Sequence, residues 1–323
     1  MNITYIYPTG MLDDVHVQVR CKNLVDAIQA TGWHQAKLLD LDSFLAPTDQ
    51  ARTTCLRSDI LVIFKHLYGA ALPMVEYWKA RDKKVVVDFD EAIDLIPPDM
   101  ADYPFWMGVD SVPDHDCLPG RGRMRASPLE QFRWGMRMVD SATASTQRLV
   151  ESWSDVAPIH YLPDYLNTNH YPLNSSRKAR SEIHVGIQCL AVGAGGLAAS
   201  GLLPALEEIC ALRPNVQVHF FGLTEEALAS LCIAPAQKII VPSLPYGQRP
   251  AALADIDLGV ALVNDAYGMH SSCLPLEEFM ILKIPWLASD LPPYRSLGQY
   301  GWLIPNSQEH WARSLVEVID HLD

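Results

Sequence analysis

The run Val85-Val86-Val87-Asp88-Phe89-Asp90-Glu91, followed by Asp94, carries an apolar segment of strand length straight into carboxylates. Alternation along a strand puts Asp88 and Asp90 on one side, where their charges crowd. Crowding raises one pKa and suits proton transfer or the grip on a polar ligand such as a sugar hydroxyl. A solvated strand end, a helix cap and a divalent-metal Asp-x-Asp site are the competing readings, and no His at ligand spacing accompanies the pair. A second apolar run, Ile60–Phe64, delivers Lys65 and His66 to its C-terminal end. His66 is a candidate acid–base group because imidazole titrates near neutrality.

A third constellation lies at residues 255–290. Asp257–Val263 reads as a strand, and Ser271 and Ser272 as caps of a helix over about Leu274–Leu282 that contains Glu278. Free N–H groups and the dipole at such a helix start attract an anion. A carboxylate one turn further in could accept two hydrogen bonds from a ribose diol. Gly193-Ala194-Gly195-Gly196 follows another strand-like run and offers backbone N–H groups to a diphosphate. Together these outline a nucleotide-sugar pocket. Neither G-x-G-x-x-G nor G-x-x-x-x-G-K-[ST] occurs, which disfavours dinucleotide and P-loop readings.

The elements that must position these residues alternate. Strands are expected at Ile3–Tyr7, Ala36–Leu39, Ile60–Phe64, Lys84–Phe89, Ala142–Ala144 and Ile159–Leu162, with helices over 16–31, 70–81, 128–139 and Thr146–Trp153. Residues 165–182 lose periodicity and read as a linker. The alternation then restarts: strands at His184–Ile187, 216–221, 238–241 and 257–263, helices over 200–212, 224–232, 247–254 and His310–Leu322. This is the α/β pattern of two parallel sheets. The expected division is one Rossmann-like domain over 1–164 and a second over 183–323, facing a cleft, with ligands at the carboxyl ends of strands.

At 323 residues the chain suits two such domains. The net charge of −13 argues against broad nucleic-acid binding. The dense basic cluster, Arg121, Arg123 and Arg125, then Arg133 and Arg137, stands against that balance. Seven scattered cysteines without C-x-x-C spacing read as reduced thiols in a cytoplasmic protein, and no run of 18 apolar residues is long enough to span a membrane.

The 255–290 segment resembles the donor-binding signature of GT-B glycosyltransferases of the retaining GT4 type. Glu278-Phe279-Met280 falls on that family's Glu-Tyr-Met, and Ile284-Pro285 on its Ile-Pro. His270 replaces the family's second glutamate, and Ser271 and Pro275 replace its two basic residues. Val87–Glu91 resembles an acidic cleft element of a bacterial and phage subset, while Tyr7–Gly10 with Arg20, Met138–Thr146, Ile159–Asp164 and Leu244-Pro245-Tyr246 resemble framework segments. The resemblance implies metal-independent hexose transfer from a nucleotide-sugar, UDP-sugar foremost, with no further cofactor. Glu278, His270, Ser271, Ser272, Gly195, Gly196 and Tyr246 would serve the donor, Asp88, Asp90 and His66 catalysis, and Gly10, Lys65 and the Arg121/Arg123/Arg125 run the acceptor. A phage-type enzyme acting on hydroxymethylated DNA bases and an inactive GT-B partner protein are the alternatives.

Overall fold

The computed structural model describes residues 1–108, 126–172, 181–189 and 193–322. They form two compact units, Met1–Tyr165 and Leu166–Asp323. In unit 1, β1 (Asn2–Tyr7), β2 (Gln35–Asp40), β3 (Ile60–Phe64), β4 (Lys84–Phe89), β5 (Ser141–Ala144) and β6 (Ile159–Tyr161) form one sheet in the order β2-β1-β3-β4-β5-β6. Every pairing is parallel. Unit 2 repeats the plan with β7 (Ile183–Gln188), β8 (Val216–Phe221), β9 (Lys238–Val241), β10 (Leu258–Ala261), β11 (Trp286–Ser289) and β12 (Trp302–Ile304), ordered β12-β11-β10-β7-β8-β9 and again parallel.

Parallel strands buried on both faces read as continuous apolar runs, as Ile60–Phe64 does. In unit 1 one face packs on the first helical segment, through Tyr5, Val17, Cys21, Val25, Ala36, Val62 and Phe64. That segment begins as a helix at Val15–Val17, widens into a π turn at Gln18–Lys22 and continues as a helix over Asn23–Thr31. The Pro128–Met138 helix starts with a Ser127/Glu130 capping box. Its Gly135 lets the helix close on Leu67, since a Cβ there would lie 2.3 Å from that side chain. Unit 2 holds two cores. One surrounds Val185, Leu206, Val218, Val260 and Trp311; the other surrounds Leu276, Phe279, Trp286 and Tyr294.

Two expectations are corrected. Residues 225–230 are turns, not part of a helix over 224–232: Thr224 Oγ1 accepts from Ala227 N, and the Glu207 carboxylate takes the Cys232 N–H. Of the two serines expected to cap the Leu274–Ile281 helix, Ser272 does take the Leu274 N–H, at 3.4 Å, but Ser271 donates to the Gly268 carbonyl instead, and the N-cap position itself is Cys273. Helices at Leu41–Leu45 and Asp49–Arg57 and the edge strand β12 add to the expected set. Among the described residues, no helix is long and apolar enough to cross a membrane.

Candidate functional site

β3 and β4 end side by side and release their polar residues together. Lys65 follows β3 at φ 57°, a left-handed conformation that is strained for a residue with a Cβ, and its N–H is held by the Asp88 carbonyl at 2.9 Å. The strained turn aims its ammonium at two carboxylates, 2.6 Å from Asp90 Oδ1 and 3.0 Å from Glu91 Oε1. His16, from the start of the first helical segment, closes the cluster with Nδ1 2.6 Å from Asp90 Oδ2 and Nε2 4.0 Å from Glu91.

The charges follow from these contacts. Burial favours a neutral Asp90, but Lys65 and His16 outweigh it and hold the carboxyl well below the usual range. Asp90 is thus not the member of the acidic pair whose pKa crowding was expected to raise. Burial would likewise lower the His16 pKa; the facing Asp90 carboxylate prevails and pushes it up to about 9. Lys65 is raised in the same way, against burial, by Asp90 and Glu91. At neutral pH the Asp90 carboxylate is therefore held between two cations, Lys65 and His16. Asp90 is buried and faces a cation at each oxygen, whereas Glu91 is half-buried and meets both cations through Oε1. His16, Asp90 and Glu91 each offer a ligand atom within 4.8 Å of the others. A ligand-spaced His thus does accompany the acidic run, supplied from 74 residues upstream.

Asp88 does different work. It is fully buried, and Arg20 binds it in a fork, Nη2 to Oδ1 at 2.6 Å and Nε to Oδ2 at 2.9 Å. Thr143 donates to Oδ1 at 2.5 Å. The third arm of Arg20 reaches the Leu162 carbonyl and Asp164. Asp88 and Asp90 therefore hydrogen-bond different partners, since β4 ends at Phe89 and alternation no longer governs Asp90. His66 joins neither carboxylate. Burial, then the neighbouring Lys65 charge, pull its pKa down to about 4 against a backbone bond to Phe64, and its ring lies 5.1 Å from that of Tyr68. Gly10 sits at φ 79° in the turn after β1, where a side chain would meet nothing within 4 Å. Arg121, Arg123 and Arg125 lie outside the described residues.

In unit 2, Glu278 is completely buried. Arg249 Nη2 lies 2.5 Å from its Oε2 and Nε 3.2 Å from its Oε1. Tyr171 donates its hydroxyl to Oε1 at 3.1 Å and Gln188 its amide to Oε2 at 3.4 Å. A carboxylate has about four acceptor positions, and all four are used. A ribose diol reaches Glu278 only by displacing one of these donors. Tyr246 is buried close by in sequence to Arg249, with its ring edge-on to His170. Ser271 spends its hydroxyl on the Gly268 carbonyl at 2.6 Å, Ser272 Oγ receives the Leu274 N–H at 3.4 Å, and His270 Nδ1 faces the Ala266 carbonyl at 2.8 Å. Gly195 and Gly196 fall within the short Ala194–Ala199 helix, and the Gly196 carbonyl accepts from Asn264. Sequence reasoning missed His16, Arg249, Tyr171 and Gln188. Each meets its carboxylate from 29 to 107 residues away, so no local spacing announces it.

No family model and no curated protein matches the chain. Solved structures do. Sucrose-phosphate synthase from Thermosynechococcus elongatus aligns over 100% of this chain and 90% of its own, at 10% identity and TM-score 0.59. Anabaena HepE, in complex with UDP, aligns over 99% and 90% at 11% identity and TM-score 0.57. UDP-GlcNAc 2-epimerase from Neisseria meningitidis, bound to UDP-GlcNAc, aligns over 99% and 92% at 12% identity and TM-score 0.50. The chain has the α/β fold of the GT-B class, with two Rossmann-like domains.

Proposed function

We propose that the chain is a cytoplasmic glycosyltransferase that moves a hexose from a nucleotide-sugar, a UDP-sugar foremost, to an acceptor hydroxyl, with retention and without a metal ion. The observation that carries this reading is the convergence of Lys65, His16, Asp90 and Glu91 at the carboxyl ends of two parallel strands, where open α/β sheets bind ligands. The UDP and UDP-GlcNAc held by HepE and the epimerase support a nucleotide-sugar as the ligand class.

Unit 1 serves the acceptor. The half-buried Glu91 offers its carboxylate to the acceptor hydroxyl, and Asp90 fixes Lys65 and His16 around it. Lys65 supplies a fixed positive charge beside the carboxylates, the part a divalent ion would otherwise play. Asp88 acts through Arg20 as a positioning residue, His66 is a neutral hydrogen-bonding group, and Gly10 and Arg121, Arg123 and Arg125 border the acceptor. Unit 2 serves the donor. Arg249 is its one buried cation among the described residues, and it takes the place of the basic residues lost at Ser271 and Pro275. The donor diphosphate draws Arg249 away, which frees Glu278 to accept the ribose diol. Backbone N–H groups near Gly195 and Gly196, with Ser271, Ser272, His270 and Tyr246, complete the donor side. Charge developing on the leaving diphosphate is then met by preorganised donors.

The test is a thermal-shift series with UDP-, GDP-, ADP- and TDP-sugars, followed by mass spectrometry of sugar release and transfer. A donor that raises the melting temperature by mass action and is turned over supports the proposal. No response to any nucleotide-sugar refutes it. A second reading, a GT-B protein that binds a donor without transferring it, is favoured by the saturated state of Glu278. Binding without turnover selects it. The DNA-modifying alternative rests on the Arg121 cluster, and salt-sensitive DNA binding would favour it.

A further inference from the structure

We propose that unit 1 carries a second ligand site, away from the Lys65–Asp90 cluster, that binds a phosphorylated sugar. The site is a groove of about 690 Å³ beneath the Asp49–Arg57 helix, lined at the first residues of β1 and β2. That volume falls within the range of small-molecule clefts, about 300–1,000 Å³.

The two faces of the β1–β2 pair differ in a way the alternation makes plain. Ile3, Tyr5, Tyr7, Ala36 and Leu38 face the apolar core under the first helical segment. On the opposite face the same strands carry Asn2, Thr4, Gln35 and Lys37 into the groove, which Ile3 also borders at the strand start. A helix that packs on a sheet normally meets apolar side chains there. Here the floor is polar: the buried Thr4 and Ser58 hydroxyls lie 2.7 Å apart, and Ser58 donates onward to the Thr54 carbonyl at 2.9 Å. The walls are amides, hydroxyls and two cations, Lys37 and Arg57. Neither cation has an ion-pair partner among the described residues, although the groove also contains Asp49.

This lining selects its ligand. Unpaired Lys37 and Arg57 in a protein of net charge −13 are suited to an anion, and the guanidinium fork to phosphate in particular. The amides and hydroxyls suit a polyol. No lining residue is aromatic, so nothing there would stack a nucleobase. Phosphate at the cations and sugar hydroxyls over the exposed amides of Gln35 and Gln50 satisfy both halves of the groove. The site lies at the amino-terminal ends of the strands, whereas Lys65 and Asp90 lie at their carboxyl ends. It stands independently of the proposed transfer reaction.

The experiment is calorimetric titration of the full chain with glucose 6-phosphate, with glucose and inorganic phosphate in separate arms, and hydrogen exchange of residues 49–58 in parallel. The Lys37→Ala/Arg57→Ala variant removes only exposed side chains, and its circular dichroism and melting temperature confirm that it folds. Glucose 6-phosphate should bind at least tenfold more tightly than either half alone, protect residues 49–58 from exchange, and lose at least tenfold in affinity in the variant. Glu91→Gln should leave that binding unchanged. Binding that survives Lys37→Ala/Arg57→Ala, or that disappears in Glu91→Gln, overturns the site, as does a folded wild type that binds none of the three probes. Phosphate binding as tightly as the sugar phosphate overturns the polyol half.

Discussion

Glu278→Ala tests whether a buried ion pair organises unit 2. The substitution removes the carboxylate that Arg249 grips from 2.5 and 3.2 Å, and leaves a guanidinium whose side chain is 7% exposed without its counter-charge. Stripping one partner from a buried pair costs about 3–5 kcal/mol, more than the roughly 1.5–3 kcal/mol of a single charge-assisted hydrogen bond. With a urea dependence of about 2 kcal/mol/M, the unfolding midpoint of unit 2 should fall by about 1.5–2.5 M. The readout is urea-dependent hydrogen exchange resolved to peptides of unit 2, compared with peptides of unit 1 in the same sample. Glu278→Leu/Arg249→Met removes both charges at similar volume and should recover most of the loss, because neither partner then remains buried alone. A wild-type midpoint in Glu278→Ala, or a double variant as unstable as the single one, would refute the reasoning.

His16 carries a pH signature. Its pKa is raised from 6.5 to about 9, so its contribution to unit 1 is complete below about pH 6.5 and is lost as pH rises through about 9. The stability gap between wild type and His16→Gln, measured by urea unfolding from pH 6 to 10, should therefore shrink across that window; a flat gap would contradict the ion pair with Asp90. Gly201 adopts φ 78°, and a Cβ there would lie 2.3 Å from Gln308 N, so Gly201→Ala should cost about 2–5 kcal/mol in chemical denaturation. Near-wild-type stability of that variant would contradict the close approach. Transfer activity should survive EDTA in the wild type, and complete loss restored by Mg²⁺ or Mn²⁺ would assign His16, Asp90 and Glu91 to a metal.

The sheet skeleton was legible because buried parallel strands write themselves as short apolar runs. Ile60–Phe64 and Lys84–Phe89 have the bounds their composition implies. The 224–232 stretch was misleading for a tertiary reason. Leu228 and Leu231 are anchored in the core, but the backbone around them closes successive three-residue turns, Leu228 N–H to the Glu225 carbonyl and Leu231 N–H to the Leu228 carbonyl, and ends with the Cys232 N–H on Glu207. The polar Leu41–Arg57 region gave no periodic signal, although its second helix roofs the groove in unit 1. For the sites, sequence pointed to the strand ends and to the acidic residues there. It did not reveal who neutralises them. His16 sits just ahead of a π turn, and Arg249 has no motif of its own. Their meaning appears only when the fold sets them against Asp90 and Glu278.

Arg20 ties the first helical segment to residues that are made much later. Its partners Asp88 and Asp164 follow 68 and 144 residues later. During synthesis the first helical segment therefore emerges with a guanidinium whose buried position has no acid to receive it, and an unpaired charge is too costly to inter. At about 5–20 residues per second, the wait for Asp164 is roughly 7–30 s. Until then the ion pairs that seat the first helical segment cannot be complete. The guanidinium acts as a latch that the last residues of unit 1 close, which couples the earliest segment to the latest in one cooperative step.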